Sequence, residues 1–275
     1  MSRAETIAEI PTGPVAVPAV VRALAGDDAV TPVWRNTVGG LTFRLDPRGG
    51  EAARPVRYAK WVPAGVPEID LAGEAERLAW VGDRTPVPRV LDQGADDDGS
   101  WLVTQAVAGR SAVEARWTGD PAVAAVAIGR GLRALHEALP VASCPFTWSV
   151  AQRVANADDR LARGHGPDEW FSEHRGLAVA EARARRGGAR PVDRLVVLCR
   201  GGLGRGTLLH DDGTFAAHVD LGSLGVADRW ADLAVAAWST EWNYGPGYDG
   251  HVYAGYGIDP DPERIAYYRL LWDLS

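Results

Sequence analysis

The chain has 275 residues, 46% of them hydrophobic and 24% charged, with a formal net charge of -7. That is enough chain for one large domain or two lobes, and its acidic balance argues against nucleic acid as a partner and for a small cationic molecule. Two cysteines, Cys144 and Cys199, exclude a disulfide framework and lack metal spacing, which suits a reducing cytoplasm. No apolar run approaches the ~18 residues of a membrane helix, so no membrane partner is expected. Met1 to Pro18 does not read as a signal peptide.

Val15 to Leu24 has the spacing of a short helix. Val33 to Asn36 and Leu41 to Leu45 read as strands around the turn Thr37-Val38-Gly39-Gly40. Val56 to Val62 reads as a third strand, ended by Pro63. Asp70 starts a helix over Leu71 to Trp80, which Pro86-Val87-Pro88 breaks. Arg89 to Asp92 and Trp101 to Gln105 are two more strands across an acidic turn. Helices then dominate: Pro121 to Leu139, Ser149 to Arg163 and Asp168 to Ala182, followed by a basic loop at Arg183 to Arg190. Leu195 to Cys199 is a short strand. Thr207 to His210 and Ala216 to Asp220 form a hairpin around Asp211-Asp212-Gly213. Asp228 to Trp242 and Asp261 to Leu274 are the last helices. The strand pattern yields to helices near residue 107, giving lobes at 1–107 and 108–275.

Several residues suit phosphoryl transfer, which needs a cation on phosphates, a carboxylate on the metal and a base near the nucleophile. Lys60 is the only lysine and lies in a strand. Glu74, fourteen residues later on a helix, would hold its ammonium group in place. Gly39 and Gly40 would form a lid over a nucleotide, or simply a hairpin turn. Asp220, at a strand end before a Gly-containing turn, is expected either to be a buried carboxylate on Mg²⁺ or to cap that turn. Asp228 and Asp232, one helical turn apart, are expected to cap the helix and brace the site. Gly201 to Gly206-Thr207 has the glycine spacing of a phosphate loop. It lacks the lysine, and the segment after it reads as a strand.

The run His218-Val219-Asp220-Leu221-Gly222-Ser223-Leu224-Gly225, continuing through Asp228 to Asp232, closely resembles the metal-binding end of the aminoglycoside phosphotransferase family. Pro86 to Leu91, Leu135-His136-Glu137-Ala138-Leu139-Pro140 and Asp261 to Leu271 match further family signatures. The resemblance covers Trp34 to the C-terminus and is greatest to the actinomycete 3'-phosphotransferase-like branch. It implies an α+β, two-lobe protein-kinase-like fold with an antiparallel-sheet N-lobe for nucleotide and a mostly helical C-lobe. It also implies ATP and Mg²⁺ as cofactors and an aminoglycoside hydroxyl as acceptor, with a hinge at Gln105 to Ala108. The family places substrate carboxylates in the helical lobe and at the C-terminus, which suggests Asp273, Glu241, Asp168 and Glu169 here. Trp238, Trp242, Tyr244 and Tyr248 would either line the acceptor site or pack in the core.

The family's His-Gly-Asp box is replaced. Aligned without a gap, Cys199 takes the His position, Gly201 that of the catalytic Asp and Gly206 that of the metal-binding Asn. With one gap, Arg200 takes the His position and Gly202 the Asp. Either way no carboxylate or amide is present from Leu198 to Gly206. The chain is then an impaired phosphotransferase or a pseudokinase that binds without turnover, unless Asp211 or Asp228 has replaced the base. The Gly-rich stretch Arg200 to Gly206 is expected to be mobile.

Overall fold

The computed structural model describes residues 8–36, 38–48, 54–66, 69–187, 191–199 and 206–275. The chain divides into two compact units, residues 1–82 with 87–107, and residues 83–86 with 108–275.

The first unit runs β1 (Ala8–Glu9), α1 (Ala19–Ala25), β2 (Ala29–Asn36), β3 (Leu41–Asp46), β4 (Arg57–Pro63), α2 (Leu71–Val81), β5 (Val90–Ala95) and β6 (Gly99–Gln105). Its strands form one antiparallel sheet in the order β1-β2-β3-β4-β6-β5. Alternation along β3 buries Phe43 and Leu45 and exposes Arg44. Those two side chains meet Val21 and Ala25 of α1, Ala59 of β4 and Val103 of β6 in a shared core. Asp70 caps α2 by accepting from the Gly73 N–H at 2.8 Å, and Gly82 closes the helix at a positive φ of 53°.

The second unit runs β7 (Arg110–Ser111), α3 (Ala115–Thr118), α4 (Pro121–Ala138), α5 (Val150–Ala162), α6 (Val179–Arg186), β8 (Leu195–Leu198), β9 (Thr207–Leu209), β10 (Phe215–His218), β11 (Gly225–Asp228), α7 (Trp230–Tyr244), α8 (Asp249–Tyr256) and α9 (Pro262–Leu274). Its strands make two small antiparallel groups, β10-β9-β7 and β11-β8. Every residue of α7 from Trp230 to Thr240 is buried, so this helix is the centre of the unit. The Ser239 and Thr240 hydroxyls inside it donate to the Ala236 and Ala237 carbonyls, both at 2.7 Å. Helices α4 and α8 touch backbone to backbone. A Cβ on Gly129 would lie 2.1 Å from the Val252 carbonyl oxygen, and one on Gly255 would lie 2.2 Å from that of Val126.

Some elements differ from those the sequence suggests. No single helix spans residues 168 to 182. A 3-10 turn at Pro167–Glu169 is followed by bends, and α6 starts only at Val179. The cause is tertiary: Trp170 and His174 are buried, and the Phe171 N–H donates to the Asp273 carboxylate rather than along a helix. Arg183 to Arg186 end α6 instead of starting a loop, and residues 188–190 lie outside the described residues. Asp228 closes β11, pairing with Leu195, and α7 begins two residues later. Strand β10 ends at His218, so Asp220 follows the strand at a distance of two residues. The segment after Gly206 is strand β9, which removes the phosphate-loop alternative because that loop must open a helix.

Candidate functional site

The first unit supplies an ion pair. Lys60 on β4 pairs in register with Thr42 and Leu102, and its Nζ lies 2.7 and 3.0 Å from the two carboxylate oxygens of Glu74 on α2. Glu74 is buried and Lys60 is one-quarter exposed, so the ammonium is fixed with part of it open to solvent. The β2–β3 turn is closed by Asn36. Its N–H donates to the Gly40 carbonyl at 3.0 Å, and its side-chain oxygen accepts from the Gly40 N–H at 2.7 Å. Gly39 has φ +94°, and a Cβ on Gly40 would meet the Asn36 amide nitrogen at 2.5 Å, so both glycines are needed for this turn. At the expected hinge, the Gln105 and Ala106 N–H groups donate to the Arg89 and Val56 carbonyls, both at 2.9 Å.

The second unit holds the other candidates. Asp220 is exposed rather than buried as expected, because it lies in the turn after β10, and it has φ +63°, the only positive φ of a non-glycine residue among those described. It follows Val219, whose N–H donates to the Gly206 carbonyl at 2.8 Å. Gly206 is itself buried, whereas Gly201 and Gly202, the two candidate positions of the missing base, lie outside the described residues. So does nearly all of the stretch expected to be mobile.

A buried hydrogen-bond network anchors the start of that stretch. Asp232, fully buried in the first turn of α7, accepts from the Cys199 N–H at 2.9 Å. The same carboxylate oxygen lies 3.2 Å from His136 Nε2, and His136 Nδ1 lies 3.0 Å from the Tyr256 hydroxyl. One tautomer satisfies the chain: Nε2–H donates to Asp232 and Nδ1 accepts from Tyr256. Three helices, α4, α7 and α8, thus hold the end of β8. Asp228 is also buried. Its two oxygens accept from the Trp230 N–H at 3.0 Å and the Asp193 N–H at 2.7 Å, which commits it to bracing the backbone. Asp193 in turn accepts from Arg229 at 2.6 Å and the Trp230 indole at 3.0 Å. Burial pushes its carboxyl up, but these donated bonds outweigh burial and lower it. Asp211 sits exposed at the β9–β10 turn, 3.2 Å from Arg116. His218 is buried against Phe215, with ring centroids 4.7 Å apart, and burial pushes its imidazole down to about 4.

The suggested substrate acids scatter. Asp273 is buried, with one oxygen 2.5 Å from His174 Nδ1 and the other accepting from the Phe171 N–H at 3.3 Å. Burial raises its carboxyl despite those bonds. Asp168 is exposed, and exposed Glu169 lies 2.8 Å from His165 Nδ1. Glu241 is half-exposed, 3.8 Å from Arg269. Phe171 stacks on Trp242 with centroids 4.3 Å apart and planes 14° from parallel, and Trp238 and Trp272 pack at the edges of this stack. Tyr244 and Tyr248 form a separate T-shaped pair at 6.4 Å. The sequence reading assigned no role to His136, Tyr256, His174 or Phe171. Only His136 carried a signal, within the run Leu135 to Pro140.

The chain matches the phosphotransferase enzyme family (APH) over residues 21–268. It is 40% identical over 247 residues to an aminoglycoside 3'-phosphotransferase of Streptomyces fradiae, spanning 85% of this chain and 90% of that one. It is 38% identical over 270 residues to a streptomycin 3''-kinase of Streptomyces griseus, spanning 91% and 97%. Its fold superposes on the crystal structure of an aminoglycoside-3'-phosphotransferase of type VIII with a TM-score of 0.76 and 31% identity, covering 93% of this chain and 97% of that one. The aminoglycoside phosphotransferase APH(3'')-Id of Streptomyces rimosus, in complex with ADP and streptomycin, gives 0.73 and 30%, covering 92% and 95%. No helix among the described residues is long and apolar enough to cross a membrane. The sheet unit and the helical unit together have the two-lobe, protein-kinase-like architecture of these structures. Matched in sequence and in fold over most of its length, the chain belongs to the aminoglycoside phosphotransferase (APH) family of phosphotransferase enzymes.

Proposed function

We propose that this chain is an ATP-dependent O-phosphotransferase acting on aminoglycoside hydroxyls, with turnover strongly reduced by the loss of its catalytic base. The observation that carries the phosphotransferase reading is the part-buried Lys60–Glu74 pair at 2.7 Å, which presents a fixed cation of the kind that holds nucleotide phosphates. Gly39 and Gly40 would let the turn backbone approach the same phosphates. In the second unit Asp220 would hold Mg²⁺. Magnesium is ordinarily bound by one or two carboxylates together with phosphate oxygens, so a single exposed carboxylate fits it. The ion would neutralise charge on the group in transfer.

In the reaction, the acceptor hydroxyl oxygen forms a bond to the γ-phosphorus of ATP, the bond from that phosphorus to the bridging oxygen breaks, and ADP leaves. The hydroxyl proton then has no protein carboxylate to receive it between Cys199 and Gly206 and passes to solvent. Loss of a general base alone lowers rates by about 10²–10⁴-fold. Asp228 does not replace it, being buried and bonded to two backbone N–H groups. The net charge of -7 suits a cationic aminoglycoside, and the two free thiols suit the cytoplasm.

A second reading is favoured by the same missing carboxylate: a pseudokinase that binds nucleotide or amino sugar without turnover. Comparing ATP turnover on an aminoglycoside panel tests both. The variant Cys199→His, Gly201→Asp, Gly206→Asn should exceed the present chain by at least about 10²-fold. Slow but measurable phosphate transfer by the present chain, above the enzyme-free rate, supports the impaired enzyme. Nucleotide binding with no transfer supports the pseudokinase. Fast turnover by the present chain would place the base elsewhere and sink both.

A further inference from the structure

Helix α5 carries Val150, Arg153, Val154, Ala157 and Leu161 at the spacing of a single helix face. Ala157 packs in a core with Trp170, Ala182 and, from α9, Leu270 and Leu274. One turn earlier the same face puts an arginine where an apolar side chain belongs. Arg153 is 1% exposed and is the largest of the fully buried side chains among the described residues. Its Nε donates to the Ser275 hydroxyl at 3.3 Å, just past α9, and that hydroxyl donates to the Leu271 carbonyl at 2.6 Å. Among the described residues, Nη1 and Nη2 of Arg153 have no acceptor. Burial pulls the guanidinium down to about 10, which leaves it charged at neutral pH. Burial pushes the neighbouring Tyr268 hydroxyl up, so it stays neutral and offsets none of that charge.

The carboxylates of the unit are committed elsewhere. Three are buried: Asp228, Asp232 and Asp273. Asp228 accepts from the Trp230 and Asp193 N–H groups, Asp232 is bonded to the Cys199 N–H and His136, and Asp273 to the Phe171 N–H and His174. On α5 itself, Asp158 pairs with Arg186 at 2.7 Å and Asp159 with Arg163 at 2.6 Å. None of these acids accepts from Nη1 or Nη2. A buried cation is costly unless a negative charge accompanies it, and water supplies an acceptor without that charge. The charge must then come from outside the chain, and a side chain so nearly sealed from solvent favours a compact ion over a polyatomic one.

We propose that the Nη edge of Arg153 binds a small monovalent inorganic anion of the halide class, held between α5 and the end of α9. The site stands apart from the residues proposed for nucleotide, metal and acceptor, and its ion takes no part in phosphoryl transfer. It completes the charge balance of a helix junction and ties α5 to the helix that carries Asp273.

The test compares unfolding of the full chain in sodium chloride and in sodium gluconate at equal ionic strength, for the native chain and for Arg153→Met. Crystals of the native chain grown in sodium bromide are examined for anomalous scattering. The native chain should melt about 2–4 °C higher in chloride, because the ion binds the folded state alone. Arg153→Met replaces the buried cation with an apolar chain, so it should fold and melt alike in both salts. A bromide peak should lie against Nη1 and Nη2. Identical melting of the native chain in the two salts, with no bromide at Arg153, would overturn the site and assign both Nη groups to water. A chloride response that persists in Arg153→Met would place the ion elsewhere and overturn it as well. Should Arg153→Met fail to fold, the bromide crystals decide alone: a peak at the guanidinium supports the site, and peaks confined to the surface, adventitious ions only, sink it.

Discussion

Lys60 and Glu74 meet across fourteen residues of chain, from a strand to the helix beside it. Asp232 and His136 meet across 96 residues, from α7 to α4, and together hold the amide of Cys199. In the first region the two side chains that join strand to helix are the same two that are proposed to hold the nucleotide phosphates. Changing either alters both at once. In the second, scaffold and chemistry are separate: Asp232, His136 and Asp228 hold the frame, while the residues expected to react would sit in the segment that frame carries. On the function proposed above, such a site could lose its base while the described network of Asp232, His136, Tyr256 and the Cys199 amide keeps its bonds.

That separation can be broken experimentally. Asp232→Ala should be the most damaging change, because it strands a buried backbone N–H and a buried imidazole. A loss of about 3–5 kcal/mol in urea unfolding is expected, and Asp232→Asn, which still accepts one bond, should lose less. An Asp232→Ala protein as stable as the native one would mean the anchor is incidental.

Acid should distinguish the two regions next. All six histidines of the chain lie after residue 107. His218 is pushed down to about 4 by burial, with Asp232 pulling it up and His136 lowering it further. The unfolded chain therefore binds more protons than the folded one between its ordinary value near 6.5 and about 4. Stability from neutral His218 is fully present above that window and is lost as pH falls through it, by about 3 kcal/mol. Hydrogen exchange at pH 5 should then show protection falling in β9 and β10 before it falls in β3 and β4. His218→Leu should flatten the response, and an unchanged pH slope in that variant would remove the histidine from the account.

Lys60→Met should have the smallest effect of the three on free energy, about 2 kcal/mol, read as a 10- to 100-fold weaker affinity for ADP by calorimetry. Unaltered affinity would detach the ion pair from nucleotide binding altogether.

The parts that sequence reveals follow the same division. Alternation in β3 and β4, the Asp70 cap and the lysine–glutamate spacing are local signals, and each marks an element that the structure contains. The five strands read around that pair all lie in the antiparallel sheet. Strand β11 and the break between residues 168 and 179 were not legible. The first is a four-residue strand whose partner lies thirty residues upstream, and the second depends on Asp273, 102 residues from Phe171. Helix α8 was missed because its glycines weaken the helical pattern, although Gly255 is what lets it touch α4. Trp242 could be named as an aromatic residue, but whether it faced core or solvent depended on a stacking partner from a distant loop.

Asp220 leaves a last consequence in its backbone. A left-handed conformation costs most residues about 1–2 kcal/mol and costs glycine nothing. Asp220→Gly should therefore give a protein that unfolds at higher urea, by up to about 1 kcal/mol, while removing the carboxylate proposed above to hold the metal. At this position the more stable protein is the less capable one. A chain free to shed its chemistry would gain by making that exchange, and this one still carries the aspartate.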